Sequence, residues 1–239
     1  MWNQKPFQSD VAFVKQSLFV RTMNYTALWT VLYGIFVAVL IGTKLDVVFA
    51  NPVISLLLVG GVMLGSFLIR DPIRTSKGLL FGYGAFTSFA LAAISSFLIH
   101  ITGNVNIQIL ISALVTTFLI GGAVIFAARS VQISMDKAAA VSKFLLIVGI
   151  AAFIAAILNL FIFKLKIIGL IITAVFLVWS IAALFITISQ MDNIEGLVGE
   201  DTEILDRLAL WFSVDVFILL YNIFITILQL LLAFTSDND

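Results

Sequence analysis

The chain has 239 residues, of which 62% are hydrophobic and 11% charged, whereas a soluble domain is about a quarter charged, so this chain cannot cover itself with a polar exterior. Thirteen Lys and Arg balance thirteen Asp and Glu, and the basic footprint of a nucleic-acid binder is missing. There is no Cys, and His100 is the one histidine, which excludes disulfides, thiol catalysis and multi-histidine metal sites within one chain.

Lipid is the solvent that suits such a chain. There, every backbone polar group must be satisfied inside helices or a closed barrel. The apolar runs are continuous and reach about 20 residues, the length of a helical span. A barrel would show short segments of alternating polarity. The expected fold class is therefore all-α, a polytopic seven-transmembrane-helix bundle forming one transmembrane domain over residues 1–239.

An N-terminal segment of mixed polarity, with Lys5, Asp10, Lys15 and Arg21, does not read as a cleavable signal. The first span is expected at 24–41. The second, 47–69, stops at Arg70-Asp71-Pro72, because proline after a charged pair ends a helix. The uncharged stretch that follows is too long for one span. The turn-forming patch from His100 to Asn106 divides it into spans at 78–98 and 107–128. The polar segment 129–143 reads as an interfacial helix before a fifth span at 144–163. Lys164-Leu165-Lys166 makes a hairpin into a sixth span at 167–189. A hydrophilic loop is expected at 191–207, holding Asp192, Glu195, Glu200, Asp201, Glu203 and Asp206. The seventh span is expected at 208–234.

Basic residues in short loops set orientation. Ten of the thirteen Lys and Arg fall on the side of the N-terminus in this scheme, and Lys44, Lys164 and Lys166 fall on the other. The N-terminus is therefore expected in the cytoplasm and the C-terminus outside. Short polar tails point to a bacterial plasma membrane.

Asp215 is the one charged side chain well inside an expected span, between Trp211-Phe212-Ser213-Val214 and Val216-Phe217-Ile218. A charge at a helix centre costs roughly 2.5–3.5 kcal/mol on insertion scales, so such residues mark function. Asn222 and Gln229 follow at steps of seven and share nearly the same face. This polar seam is expected to face the bundle, because lipid offers it no partners. Gln190 and Asp192 close the sixth span on the side where Asp215 enters, and Arg70 ends the second span there. Asp215, Gln190, Asp192, Arg70 and Asn222 are thus the candidate site residues. The doublets Gly60-Gly61 and Gly121-Gly122 read as close helix contacts. Gly65-Ser66 resembles a fragment of a serine hydrolase motif, but its base would have to be His100, at the opposite membrane face. No enzyme and no cofactor are expected.

The order of these features resembles the Bax inhibitor-1 (transmembrane Bax inhibitor motif) family from about residue 20 to the end. The residues that carry the likeness are Gly78 to Thr87 in the third span, Ala127-Ala128-Arg129-Ser130 after the fourth, and Leu158-Asn159-Leu160-Phe161 in the fifth. The most specific stretch is Asp215 followed by Tyr221-Asn222-Ile223-Phe224 and Leu228-Gln229-Leu230-Leu231. The resemblance implies a central C-terminal helix and a pH-sensitive calcium leak, with two Asp sharing a proton and an Arg able to engage one of them; it makes Asp215, Gln190, Asp192, Arg70 and Asn222 the expected ion-pathway and gating residues, with Asp215 a transient calcium ligand. Asp215 matches the second Asp, and Arg70 matches by position. Gln190 stands where the first Asp is expected, with Asp192 two residues later, and an amide there cannot ionise. The alternative expectation is a non-transporting protein that docks a membrane protease or a cell-death or stress factor through the acidic segment 191–207.

Overall fold

A computed structural model describes residues 17–49, 51–69, 71–102, 107–131, 133–159, 165–199 and 201–235. Eight helices account for most of them: α1 Leu18–Gly42, α2 Asp46–Phe49, α3 Pro52–Leu68, α4 Lys77–Thr102, α5 Ile107–Ser130, α6 Met135–Leu158, α7 Lys166–Val198 and α8 Thr202–Thr235. No strand occurs among the described residues. Six helices, α1 and α4 to α8, are long and apolar enough to cross a membrane, and α3 is a shorter apolar helix. The protein is thus all-helical, with the helices of a multi-pass membrane protein.

Three expected boundaries are corrected. The second span is not one helix over 47–69. It is broken at Asn51-Pro52, where Asn51 Oδ1 accepts from the Val53 backbone N–H at 2.9 Å. Proline at the first helical position lacks only a donor that would be unpaired anyway, so the Asn-Pro pair starts α3 afresh. The fifth span begins at Met135 rather than 144, because the polar residues 135–143 continue directly into the apolar helix. The acidic segment 191–207 is not a loop: α7 runs through it to Val198 and α8 begins at Thr202. Gly199 ends α7 with φ 69, a backbone region open to glycine at little cost. Asp201 Oδ1 then accepts from the Glu203 and Ile204 N–H groups at 2.9 and 3.1 Å, capping α8.

Polar contacts gather one end of the bundle. The Leu18 N–H donates to Glu195 Oε2 at 2.9 Å. Arg21 pairs with Asp206, which also meets Lys77 Nζ at 3.0 Å. Arg129 pairs with Asp192, and Asn193 Nδ2 donates to the Ile133 carbonyl at 2.8 Å. Arg207 donates to the Ile73 carbonyl at 2.6 Å. The starts of α1, α4, α6 and α8 therefore lie together with the ends of α5 and α7. Because α1 and α4 start at the same end, the chain must return between them, and α3 makes that return. It runs antiparallel to α4: Gly61 faces Phe86, Gly65 faces Tyr83, and Tyr83 Oη donates to the Val62 carbonyl at 3.2 Å. Its 17 residues span about 26 Å, slightly less than a bilayer core of about 30 Å.

At 33 and 34 residues, α7 and α8 are each about 50 Å long. Both exceed the hydrocarbon thickness, so their joined ends extend past it as a helical hairpin. The second helix of this hairpin, α8, packs against α1, α4, α5 and α7 and buries residues on several faces, among them Leu205, Ala209, Val214, Val216 and Ile223. Small residues set the approach of its neighbours. Trp29 on α1 is fully buried, donates from Nε1 to Ser213 Oγ on α8 at 2.7 Å, and lies flush on Gly84 of α4. A Cβ at Gly84 would stand 2.5 Å from the Trp29 ring, so only glycine lets α1 and α4 meet here. Of the expected glycine contacts, Gly61 meets Phe86 and Gly121 meets Leu220, while Gly60 and Gly122 face open space.

Candidate functional site

The polar seam of α8 is present on one continuous helix, Thr202–Thr235. Asp215 is partly buried between the buried residues Val214 and Val216. It lies nine residues beyond Asp206 in the ion-pair cluster, a rise of about 14 Å along the axis. Among the described residues it has no hydrogen-bond or ion-pair partner. Tyr83 on α4 is close enough to interact with it electrostatically. The Tyr83 ring also stacks on Trp211, with centroids 6.1 Å apart and planes 21° apart. Trp211 is one turn before Asp215, so this aromatic pair stands between the carboxylate and the polar end of the bundle.

Farther along α8, Asn222 and Gln229 line a cleft of about 650 Å³ together with residues of α3, α4, α6 and α7. A second cleft, of about 300 Å³, lies on the side of α1, α4 and α5 and includes Tyr33, Ser95, Tyr221 and Gln229. The seam thus runs from the partly buried Asp215 near one end of the bundle through the partly buried Asn222 to Gln229, which is exposed rather than facing the bundle and lies six residues from the end of α8.

The other expected site residues fall differently. Arg70 lies outside the described residues. Gln190 is partly buried on α7, which packs against α8. Asp192 is exposed and paired with Arg129, so it belongs to the surface cluster at the bundle end. Arg207 is the described cation nearest to Asp215 along α8, two turns before it, and is bound to Glu203 at 2.5 Å and to Ile73. Among the described residues no group of three or more His, Asp or Glu is placed to hold a metal ion. Asp215 would thus meet a cation as a single carboxylate.

Composition and spacing did not single out a hydroxyl network at the level of the clefts. Tyr33 Oη lies 2.8 Å from Ser95 Oγ, and Tyr221 Oη lies 3.0 Å from the same atom. The usable signal was Tyr inside an apolar span, since its hydroxyl needs a partner when buried.

No family model matches the chain, and no curated protein matches it.

Proposed function

We propose that this protein is a Bax inhibitor-1-like cation leak of a membrane, with Asp215 as the carboxylate on the ion path and calcium as the passing ion. The observation that carries the reading is an unpartnered carboxylate, among the described residues, on the helix against which four others pack. Such a group is costly in a bundle surrounded by lipid, and a passing cation or a proton offsets that cost.

In this reading α3 is the seventh span, shortened but returning the chain between α1 and α4. The end that holds Arg21, Lys77, Arg129 and Arg207 is cytoplasmic, as the positive-inside rule requires, and a bacterial plasma membrane is the setting. The Tyr83–Trp211 pair forms the barrier between the cytoplasm and Asp215. Gating is by protonation of one carboxylate rather than by a shared-proton pair, because Gln190 has no charge to give.

A docking role for 191–207 is the second reading, and the geometry gives it less. Asp192, Glu195, Glu203 and Asp206 are each bound within the chain, which leaves fewer acids for a partner.

The test is ion influx into proteoliposomes loaded with a calcium indicator, compared with protein-free vesicles. Influx that depends on the protein, and that calcium and potassium share unequally, supports the reading. Vesicles as tight as the protein-free ones remove it.

A further inference from the structure

The cleft of about 650 Å³ is walled by α3, α4, α6 and α7, and α8 forms its floor. Of its flanking helices, α3 packs on α2 and α4, and α6 packs on α7. These two helices do not form a packed pair, so the cleft opens between them toward the lipid. Most of its wall is apolar, as at Val62, Met63, Leu146, Ile150 and Phe176, and no charged side chain lines it.

Three of its polar groups are unspent. Ser180 on α7 is 1% exposed, and its Oγ has no hydrogen-bond partner. The side-chain amides of Asn222 and Gln229 have none among the described residues. The hydroxyls of Thr173 and Thr226, by contrast, donate to carbonyls of their own helices, Gly169 at 2.9 Å and Asn222 at 2.5 Å. Ser180 stands twelve residues from Asp192 and fourteen from Lys166, about 18 and 21 Å along α7, so it and Asn222, at a matching level on the antiparallel α8, sit near mid-membrane, whereas the exposed Gln229 lies about 10 Å farther along α8. Unpaired polar groups at that depth cost free energy that water does not relieve.

We propose that this cleft binds an uncharged, lipid-soluble molecule with a hydroxyl or carbonyl oxygen, held by Ser180 and Asn222. A hydroxyl and an amide supply donors to such an oxygen, and the apolar walls take the hydrocarbon body. A charged headgroup finds nothing to pair with. The volume lies within the roughly 300–1,000 Å³ of small-molecule sites. Asp215 does not line the cleft, so the proposal stands apart from ion passage.

The test is photolabelling of the full chain in lipid nanodiscs with a diazirine-bearing hexadecanol and, in parallel, a diazirine-bearing hexadecane. The expected result is hexadecanol label concentrated on 59–63, 146–150 and 176–180, and suppressed by excess unlabelled hexadecanol. Hexadecane should label lipid-facing surface without saturation. Ser180→Ala should lower the competable label about fivefold, the effect of one hydrogen bond, and adding Asn222→Leu should lower it further. The same pattern from both probes, label that competitor does not displace, or full label in a folded Ser180→Ala protein would overturn the proposal. If the variants do not fold, competition in the wild-type chain decides.

Discussion

Tyr221 Oη on α8 lies 3.0 Å from Ser95 Oγ on α4, and that oxygen also lies 2.8 Å from Tyr33 Oη on α1. Ser95 donates its own proton to the Leu91 carbonyl at 2.9 Å, so both tyrosines donate to it. One hydroxyl thus ties together three helices that run in the same direction. Its loss in Ser95→Ala leaves Tyr33 without its acceptor and Tyr221 with the longer bond to Leu91 at 3.3 Å. The expected cost is about 1–2 kcal/mol, the penalty for stranding a buried hydroxyl. Tyr33→Phe removes a donor and strands nothing equivalent, so it should cost less. Unfolding in detergent micelles measures both, and the two changes combined should cost less than their sum.

Gly84 and Gly82 lie on the same helix with different surroundings. A Cβ at Gly84 meets the buried Trp29 ring, which its bond to Ser213 holds in place, whereas a Cβ at Gly82 meets nothing within 4 Å. Gly84→Ala should destabilise by about 1–3 kcal/mol through overpacking. Gly82→Ala should be neutral or slightly stabilising, since alanine favours the helix. Thermal unfolding of the two variants in one detergent compares them directly.

Asp206 and Asp192 are both paired acids at the bundle end, but their settings differ. The Asp206 side chain is 29% exposed and faces two cations, Arg21 and Lys77, whereas the Asp192 side chain is 52% exposed and faces Arg129. Removing Asp206 should cost about 1–3 kcal/mol, between the values for exposed and buried pairs. Asp192→Ala should cost less than about 1 kcal/mol. High salt should narrow the difference.

The helical hairpin made by the ends of α7 and α8 predicts a proteolysis pattern. Cleavage of the folded protein in 191–207 should be confined to the junction between α7 and α8. Asp201→Ala, which removes the cap of α8, should cost about 1 kcal/mol and widen cleavage toward 202–204. Even cleavage across the segment would restore the loop expected from the sequence.

Helix identity was legible because lipid forces a simple code, in which long apolar runs become helices. Boundaries were less legible where polar residues continue a helix beyond the membrane. Six acids suggested a loop at 191–207, yet Asp192, Glu195 and Asp206 find partners on neighbouring elements that only the fold brings near. The break at Asn51-Pro52 was readable as a cap followed by a first-turn proline, but hydropathy averaged over it. The α8 seam was readable from its seven-residue spacing. The Ser95 network was not, because a serine inside an apolar helix carries no sign of which tyrosines will reach it.

Calcium influx into proteoliposomes with wild type, Asp215→Asn and Asp215→Glu, each at acidic and neutral pH, tests the assignment of Asp215 most directly. The account predicts influx through wild type that changes with pH, and retention of much of it by Asp215→Glu. Asp215→Asn should reduce influx about tenfold, the loss of roughly 1.4 kcal/mol of interaction with the ion, and abolish its pH dependence. Equal influx through wild type and folded Asp215→Asn, with the same pH dependence, would contradict it.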